Sequence, residues 1–456
     1  MSMAQRQLFA CLLLATLTVV LAQNTPAFAQ ANRATAGTAV NNNTGNAVQA
    51  TGLAKPALNQ RAQTDNPIEA ALARALDAWA QDGLKQAISE LDTILSKTPN
   101  FRLGHLLRGD LLMAKAGKPI SFDLASYNKA FSANADNLEG LRDEARVRIE
   151  RLYNAHSRQY LPTQLLQMAP QHSHVLLMDG EKSRLYVFKN DSGTPVYVTD
   201  FYISIGKKGT DKSREGDQRT PLGVYNIISS IAGDKLTDLY GPGAYPLNFP
   251  NEWDKRTGRS GSGIWIHGTP SNTYNRAPRS SDGCVVLTND DFAKISSFIE
   301  VGSTPIVIAA QLDWQPPALW QANRESFMIT LEQWKQDWES LKIERYLAHY
   351  SPNFSADGKD YAAWVSHKRN VNAAKTFVKL GLSNLSVYNY PQAEQKTRVA
   401  SVGALPTIEA LSTQLMVVTF DQDYRSSNNA SKMRKRQYWA LENGNWKIIS
   451  EAEAKD

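Results

Sequence analysis

Two residues of this chain have the types and the spacing for nucleophilic chemistry. Cys284 sits in SSDGCVVLTNDD, residues 280–291, and His267 lies in the run IWIHG, residues 264–268. A thiol attacks as the thiolate, with a base to take its proton and amide donors to hold the oxyanion that forms. Of the seven histidines, at 105, 156, 172, 174, 267, 349 and 367, only His267 ends a strand-like run in the same segment as Cys284. The 16 residues between them, Gly268 to Gly283, can return the chain so that strand end and thiol meet. Gly283 lets its N–H point inward without a Cβ clash, and with the Cys284 N–H it would form an oxyanion hole. The competing reading of a single cysteine is a buried small hydrophobe, and composition leaves both open.

The compartment bears on that choice. Residues 1–29 read as a secretory signal peptide: Arg6, an apolar run from Leu8 to Ala22, then Ala27-Phe28-Ala29 as the cleavage site. The alternative is an N-terminal membrane anchor, for which the run is short. Cys11 opens the apolar run instead of closing it, which argues against a lipoprotein site. No later stretch of 18 residues is predominantly apolar, so no stable membrane span is expected after cleavage. The chain is thus expected to be exported to the periplasm or cell envelope. Of its two cysteines only Cys284 would remain there, where a free thiol risks oxidation. The net charge of +6 is mild, and outside the cytoplasm it points to anionic envelope polymers and away from nucleic acid.

The fold class expected around these residues is multidomain α+β, and the 456-residue length suits two or three domains. Residues 30–65 are rich in Ala, Asn, Thr and Gly without an aromatic residue, and read as a disordered linker. Residues 66–160 carry helical spacing: Asn66-Pro67 as cap and first turn, then Ile68, Leu72, Leu76 and Trp79, with later helices carrying Leu84 to Leu95 and ending at Thr98-Pro99, from Phe101 to Ala116 and from Asn137 to His156. Their rhythm resembles one and a half tetratricopeptide repeats. This helical module would serve docking, dimerisation or simply a collar on the next domain. From residue 170 to 311 the pattern is mostly β, with a short helix capped by Thr288 or Asn289. Residues 320–456 read as an α+β cone: one long helix carrying Phe327, Leu331, Trp334, Trp338, Leu341 and Tyr346, then strands, one pair turning at Asn443-Gly444.

The array HGT, a connecting loop, then SDGC resembles the catalytic signature of the YkuD-type L,D-transpeptidase domain, and SRLYVFKN and the stretch FYISIGKKGTDKSREGDQRTPLGVYNI fit its upstream strands. The resemblance implies a cell-wall enzyme of peptidoglycan biosynthesis and cell-shape maintenance. Its cysteine attacks the carbonyl of the third residue of a peptidoglycan stem tetrapeptide, releases D-Ala and passes the acyl group from a thioester to an amine. The matching residues are Cys284 as nucleophile, His267 as base, the Gly268 carbonyl as the group orienting the imidazole, and the Gly283 and Cys284 amides as oxyanion hole. No metal or organic cofactor is implied. Two positions depart from the pattern: Asp282 stands where His is usual, and Val286 where Asn or Arg is usual. Such variants resemble L,D-carboxypeptidases, with water as acceptor, and a non-catalytic peptidoglycan-binding scaffold is the reading from a different class. Residues 320–456 resemble the SnoaL-like, nuclear-transport-factor-like fold, which makes pockets and dimers; an envelope protein or a second copy would dock on the helical or cone domain.

Stem peptides are rich in carboxylates, which Arg binds bidentately. Arg276 and Arg279, in the loop between base and nucleophile, are therefore candidate substrate contacts, as are Ser281 and Asp282, with Lys207, Lys208 and Arg219 behind them. An acid two residues from the thiol would raise its pKa unless paired, and Arg276 or Arg279 is the expected partner of Asp282. Tyr245 and Trp253 are candidate lid residues. His172 and His174 are too few for a zinc site, and KMRKR at 432–436 reads as a solvated strand edge or a polymer contact.

Overall fold

The computed structural model describes residues 66–117, 135–153, 160–356, 358–392 and 414–454. The expected signal peptide and linker lie outside them. Asn66 caps the first helix, Pro67–Ala80, its Oδ1 accepting from the Ile68 and Glu69 amides at 3.0 and 3.2 Å. Helices Leu84–Lys97, Arg102–Lys115 and Ala135–Tyr153 follow. Leu72, Ile88, Leu91, Phe101 and Leu111 close a core of their own.

This module is bolted to the β domain by buried charge. Glu69 pairs with Arg148 at 2.9 Å and with Arg184 at 2.6 Å, while Asp200 takes Arg184 and Arg151, at 2.8 and 2.9 Å. Burial pushes the Glu69 carboxyl up, but Arg184 and Arg148 outweigh it and hold it below the usual range. These charges are buried and compensate one another, with Glu144 also pairing Arg148 at 2.8 Å, so removing one strands its partners. Arg184→Leu is expected to cost about 3–5 kcal/mol in denaturant unfolding; a loss under about 1 kcal/mol would show the network to be loosely solvated.

In the β domain, five strands lie in the order Thr194–Tyr202, Arg184–Asp191, His174–Asp179, Pro305–Ala309, Gly223–Asn226. A second sheet of four runs Val285–Val286, Trp265–His267, Gly243–Pro246, Ile231–Ala232, and Arg279–Ser281 pairs in parallel with Ile205–Gly206. Between the sheets, Leu176, Val187, Ile203, Ile266, Val285 and Ile306 are fully enclosed. These are the β-branched and aliphatic positions of the sequence pattern, and the short strands Trp265–His267 and Val285–Val286 are packed among them.

The cone has an antiparallel sheet of Val378–Asn389, Leu415–Ser426, Asn429–Glu442 and Asn445–Glu453 wrapped on helices. Asn443 and Gly444 both take positive φ, +49° and +78°, the two-residue hairpin that the sequence predicts. The single long helix expected here is two, Pro317–Glu339 and Ile343–Leu347. Leu341 adopts φ +59° and ends the first, so that Tyr346 folds back onto Trp338 with ring centroids 5.1 Å apart. A second difference lies upstream: Leu165–Gln167 joins the cone sheet, antiparallel to Val378–Asn389. Leu165, Met168, Val175, Phe188 and Val307 then share one core with Tyr388, Leu415, Val417 and Tyr438.

Candidate active site

Strands Trp265–His267 and Val285–Val286 are parallel neighbours with His267 opposite Val286. Cys284 stands one residue before the strand; continued to it, the alternation of side chains puts Cys284, two residues before Val286, on the face of His267. Thr288 caps the helix Asn289–Ser296 that follows the nucleophile, its Oγ1 accepting from the Asp291 N–H at 3.1 Å. Asn289 acts on the base side instead, where its Oδ1 accepts from the Thr269 N–H at 2.8 Å and anchors the turn after His267.

The His267 imidazole is buried, and its Nδ1 lies 2.6 Å from the Gly268 carbonyl oxygen. A carbonyl can only accept, so Nδ1 carries the proton and Nε2 presents a lone pair. Burial drives the imidazole pKa down to about 4; the Gly268 bond opposes this and Arg276 adds to it. His267 is therefore a neutral base throughout the neutral range. Tyr240 seats its ring edge-on, centroids 5.0 Å apart. Gly268 is held to glycine by space: a Cβ there would meet Asn289 Oδ1 and stand 2.7 Å from Pro242 Cδ. Gly268→Ala should displace the ring and lower kcat/KM about 10²-fold without unfolding the protein, a result to be read beside its circular dichroism.

Cys284 is half-buried, and its Sγ donates to the Gly263 carbonyl at 3.3 Å. Among the described residues no hydrogen bond joins it to the His267 ring. Burial pushes the thiol pKa up, the Trp265 N–H draws it back, Asp282 raises it, and Arg276 and Lys212 lower it. At neutral pH the pair is thus thiol and neutral imidazole.

Some expected site residues are engaged elsewhere. The Gly283 N–H is not aimed at the thiol: it donates to Ser281 Oγ at 3.1 Å, which leaves the Cys284 N–H as the amide beside the sulfur without a partner among the described residues. Gly283 has φ +134°, and a Cβ there would stand 2.7 Å from the Arg219 carbonyl oxygen, so only glycine fits. Ser281 is buried and donates to the Cys284 carbonyl at 2.6 Å, which shapes the turn before Cys284. Asp282 is paired neither by Arg276 nor by Arg279. Lys207 takes it at 3.0 Å and Gln218 at 3.2 Å, and the Lys207 bond holds its carboxyl below the usual range. Parallel pairing of Arg279–Ser281 with Ile205–Gly206 brings Lys207 there, a contact that no local spacing announces.

Arg276 is half-buried, and its guanidinium has no ion pair or hydrogen bond among the described residues. Burial lowers its pKa, while Cys284 and Asp282 act to raise it, so its charge is felt at the sulfur. Arg279 is exposed beside it. Arg219 is engaged with the Thr210 carbonyl at 2.8 Å. Neither lid candidate is a lid. Tyr245 pairs with Ile266 in the sheet and packs on Phe292, and Trp253 stacks on Tyr438 of the cone with centroids 4.7 Å apart. His172 binds the Tyr388 hydroxyl at 2.9 Å and His174 meets Phe298 edge-on. The KMRKR charges are paired within the structure: Lys432 with Asp423, Arg434 with Asp421, Lys435 with Glu451 and Arg436 with Glu252. Among the described residues no group of acids, histidines or cysteine is placed to hold a metal.

Residues 173–308 match the family model of the YkuD L,D-transpeptidase catalytic domain, and residues 326–452 that of the Cds6 C-terminal NTF2-like domain. Neither match reaches the N-terminal helices, whose likeness to tetratricopeptide repeats rests on sequence pattern. No curated protein matches the chain. Among solved structures, Bd1075 of Bdellovibrio bacteriovorus is 30% identical, with 65% of this chain and 98% of that one covered at a TM-score of 0.54. The helical cell shape determining protein Pgp2 of Campylobacter jejuni shares the fold at 22% identity, covering 64% and 95% at a TM-score of 0.51. With this catalytic domain joined to an NTF2-like domain, the chain belongs to the peptidoglycan-related L,D-transpeptidase family.

Proposed function

We propose that the chain is a cell-envelope cysteine acyltransferase acting on the stem peptides of peptidoglycan, with Cys284 as nucleophile and His267 as general base. The observation that carries this is the Nδ1–H bond of His267 to Gly268, which leaves Nε2 an acceptor on the face shared with Cys284. The Cys284 proton passes to His267 Nε2 as Sγ attacks the carbonyl of the third stem residue. The oxyanion is held by the Cys284 N–H. Collapse breaks the bond to D-Ala, whose amine takes the proton from His267, and a thioester remains. An amine, its proton taken by His267, attacks the thioester; the C–S bond breaks, the proton passes from His267 to the departing Cys284 sulfur, and a cross-link or an attached chain is left. Arg276 supplies a cation for the carboxylates of the substrate. A role in cell shape accords with the name that Pgp2 carries.

One observation favours a second reading, the non-catalytic scaffold: the thiol donates to Gly263 and not to His267. Active sites often tighten only with substrate bound. Purified protein incubated with tetrapeptide muropeptides and followed by mass separates the outcomes. Cross-linked dimers with released D-Ala mean transpeptidase, tripeptides alone mean an L,D-carboxypeptidase, and no product means a scaffold.

A further inference from the structure

The loop between base and nucleophile does not stand alone; the helices outside both matched regions grip it. Tyr274 of that loop packs against the helical core, as Leu141 and Ala145 of the helix Ala135–Tyr153 also do. Its ring meets the fully buried Phe101 edge-on, centroids 5.2 Å apart at 73°. Its hydroxyl makes no hydrogen bond among the described residues. Ala277 presses on the helix Ala135–Tyr153 at Gly140, where an added Cβ would stand 2.8 Å from the Ala277 Cβ. Arg148 of that helix, fixed by Glu144 and Glu69, lies 3.9 Å over the Tyr202 ring. The Tyr202 hydroxyl in turn donates to the Arg276 carbonyl at 2.8 Å, joined there by Ser204 Oγ at 3.0 Å. Asn66, the cap of the first helix, reaches Asp291 at 3.4 Å on the helix after the nucleophile.

We propose that the N-terminal helical module is a positioning element of the active site. By holding Tyr274 and Ala277 on one side and Tyr202 on the other, it fixes the loop so that Arg276 faces the thiol and the carboxylate of the incoming substrate. The substrate half of this rests on the function proposed above; the effect on the thiol does not. Without the grip, a loop carrying an unpaired arginine would send that side chain into water, where a free guanidinium is best solvated. The charged groups whose fields reach the sulfur are Asp282, Arg276 and Lys212, with His267 on the neighbouring strand. Loss of the one cation that the module aims leaves the thiolate less favoured.

The test uses Tyr274→Ala, Tyr274→Phe and Gly140→Ala in the full chain. In the last, alanine suits a helix better than glycine, yet its Cβ pushes Ala277 and the loop. Iodoacetamide labelling of Cys284, mapped by mass across pH, is read first. Tyr274→Ala and Gly140→Ala should shift the profile upward and slow labelling about 3- to 10-fold on its rising limb, and Tyr274→Phe should follow the wild type. In an Arg276→Ala background neither should slow it further. With tetrapeptide substrate, the same two variants should raise KM about 10-fold while kcat stays within about 3-fold. Folded variants with an unshifted labelling profile overturn the proposal, as does an equal loss with Arg276 already removed. If Tyr274→Ala fails to fold, Gly140→Ala decides alone. A wild type that labels as expected but yields no product sinks the catalytic reading and leaves the positioning claim standing.

Discussion

Cys284→Ala should abolish product formation from tetrapeptide stems, a loss of at least about 10⁴-fold, since removing a covalent nucleophile leaves only binding and oxyanion stabilisation. The remaining cysteine of the sequence, Cys11, lies in the expected signal peptide and cannot substitute. The fold should survive. The thiol contributes one bond, to the Gly263 carbonyl, and sits half-buried, so its loss costs on the order of 1 kcal/mol or less. Cys284→Ser should be nearly as inactive: a hydroxyl is far harder to ionise than a thiol, and an imidazole as weakly basic as His267 cannot make up the difference. Mass analysis of muropeptide digests checks this, and full turnover by Cys284→Ala would end the catalytic assignment.

His267→Ala should lower kcat by about 10²- to 10⁴-fold, the range for removing a general base. The electrostatics make the pH dependence diagnostic. His267 titrates at about 4, so the base form exists from there upward and the wild-type rate should fall only below that pH. The thiol is displaced in the opposite direction, upward by burial. A neutral pair of this kind must transfer its proton as the bond forms. A solvent isotope effect on kcat/KM is therefore expected, and labelling of Cys284 should climb through the alkaline range. A preformed thiolate–imidazolium pair would instead label at a constant rate across neutral pH and show little isotope effect. In His267→Ala the residual rate should rise about tenfold per pH unit until the thiol itself ionises.

What the sequence made legible was local. His267-Gly268 and Gly283-Cys284 stood out as candidates because in each a glycine adjoins a residue able to do chemistry at a strand end. The Asn443-Gly444 hairpin and the Asn66 cap belong to the same class. What escaped it was made by contacts distant in sequence. Lys207 reaches Asp282 only because Ile205–Gly206 pairs with Arg279–Ser281. Trp253 reads as a lid from its own loop, but it is claimed by Tyr438 from the cone. Gly283 carries the freedom expected of it, yet its amide goes to Ser281, a hydroxyl two residues back whose rotamer no pattern fixes. The break at Leu341 is invisible to helical periodicity, because the apolar spacing continues on both sides of it. The grip of the helices on Tyr274 joins residues with no common motif.

The short strand Leu165–Gln167 carries a consequence for how such a chain is made and inherited. It leaves the ribosome before the whole catalytic domain, yet its pairing partner Val378–Asn389 comes after that domain is complete. Until then Leu166, which belongs to the core of the cone, waits uncovered for a sheet not yet synthesised, and Leu165 has only the β-domain side of its core. The cone cannot be cut away without reopening that seam, nor transplanted without taking the leading strand along. The two domains are threaded through each other like a stitch, and recombination that moves one must carry both.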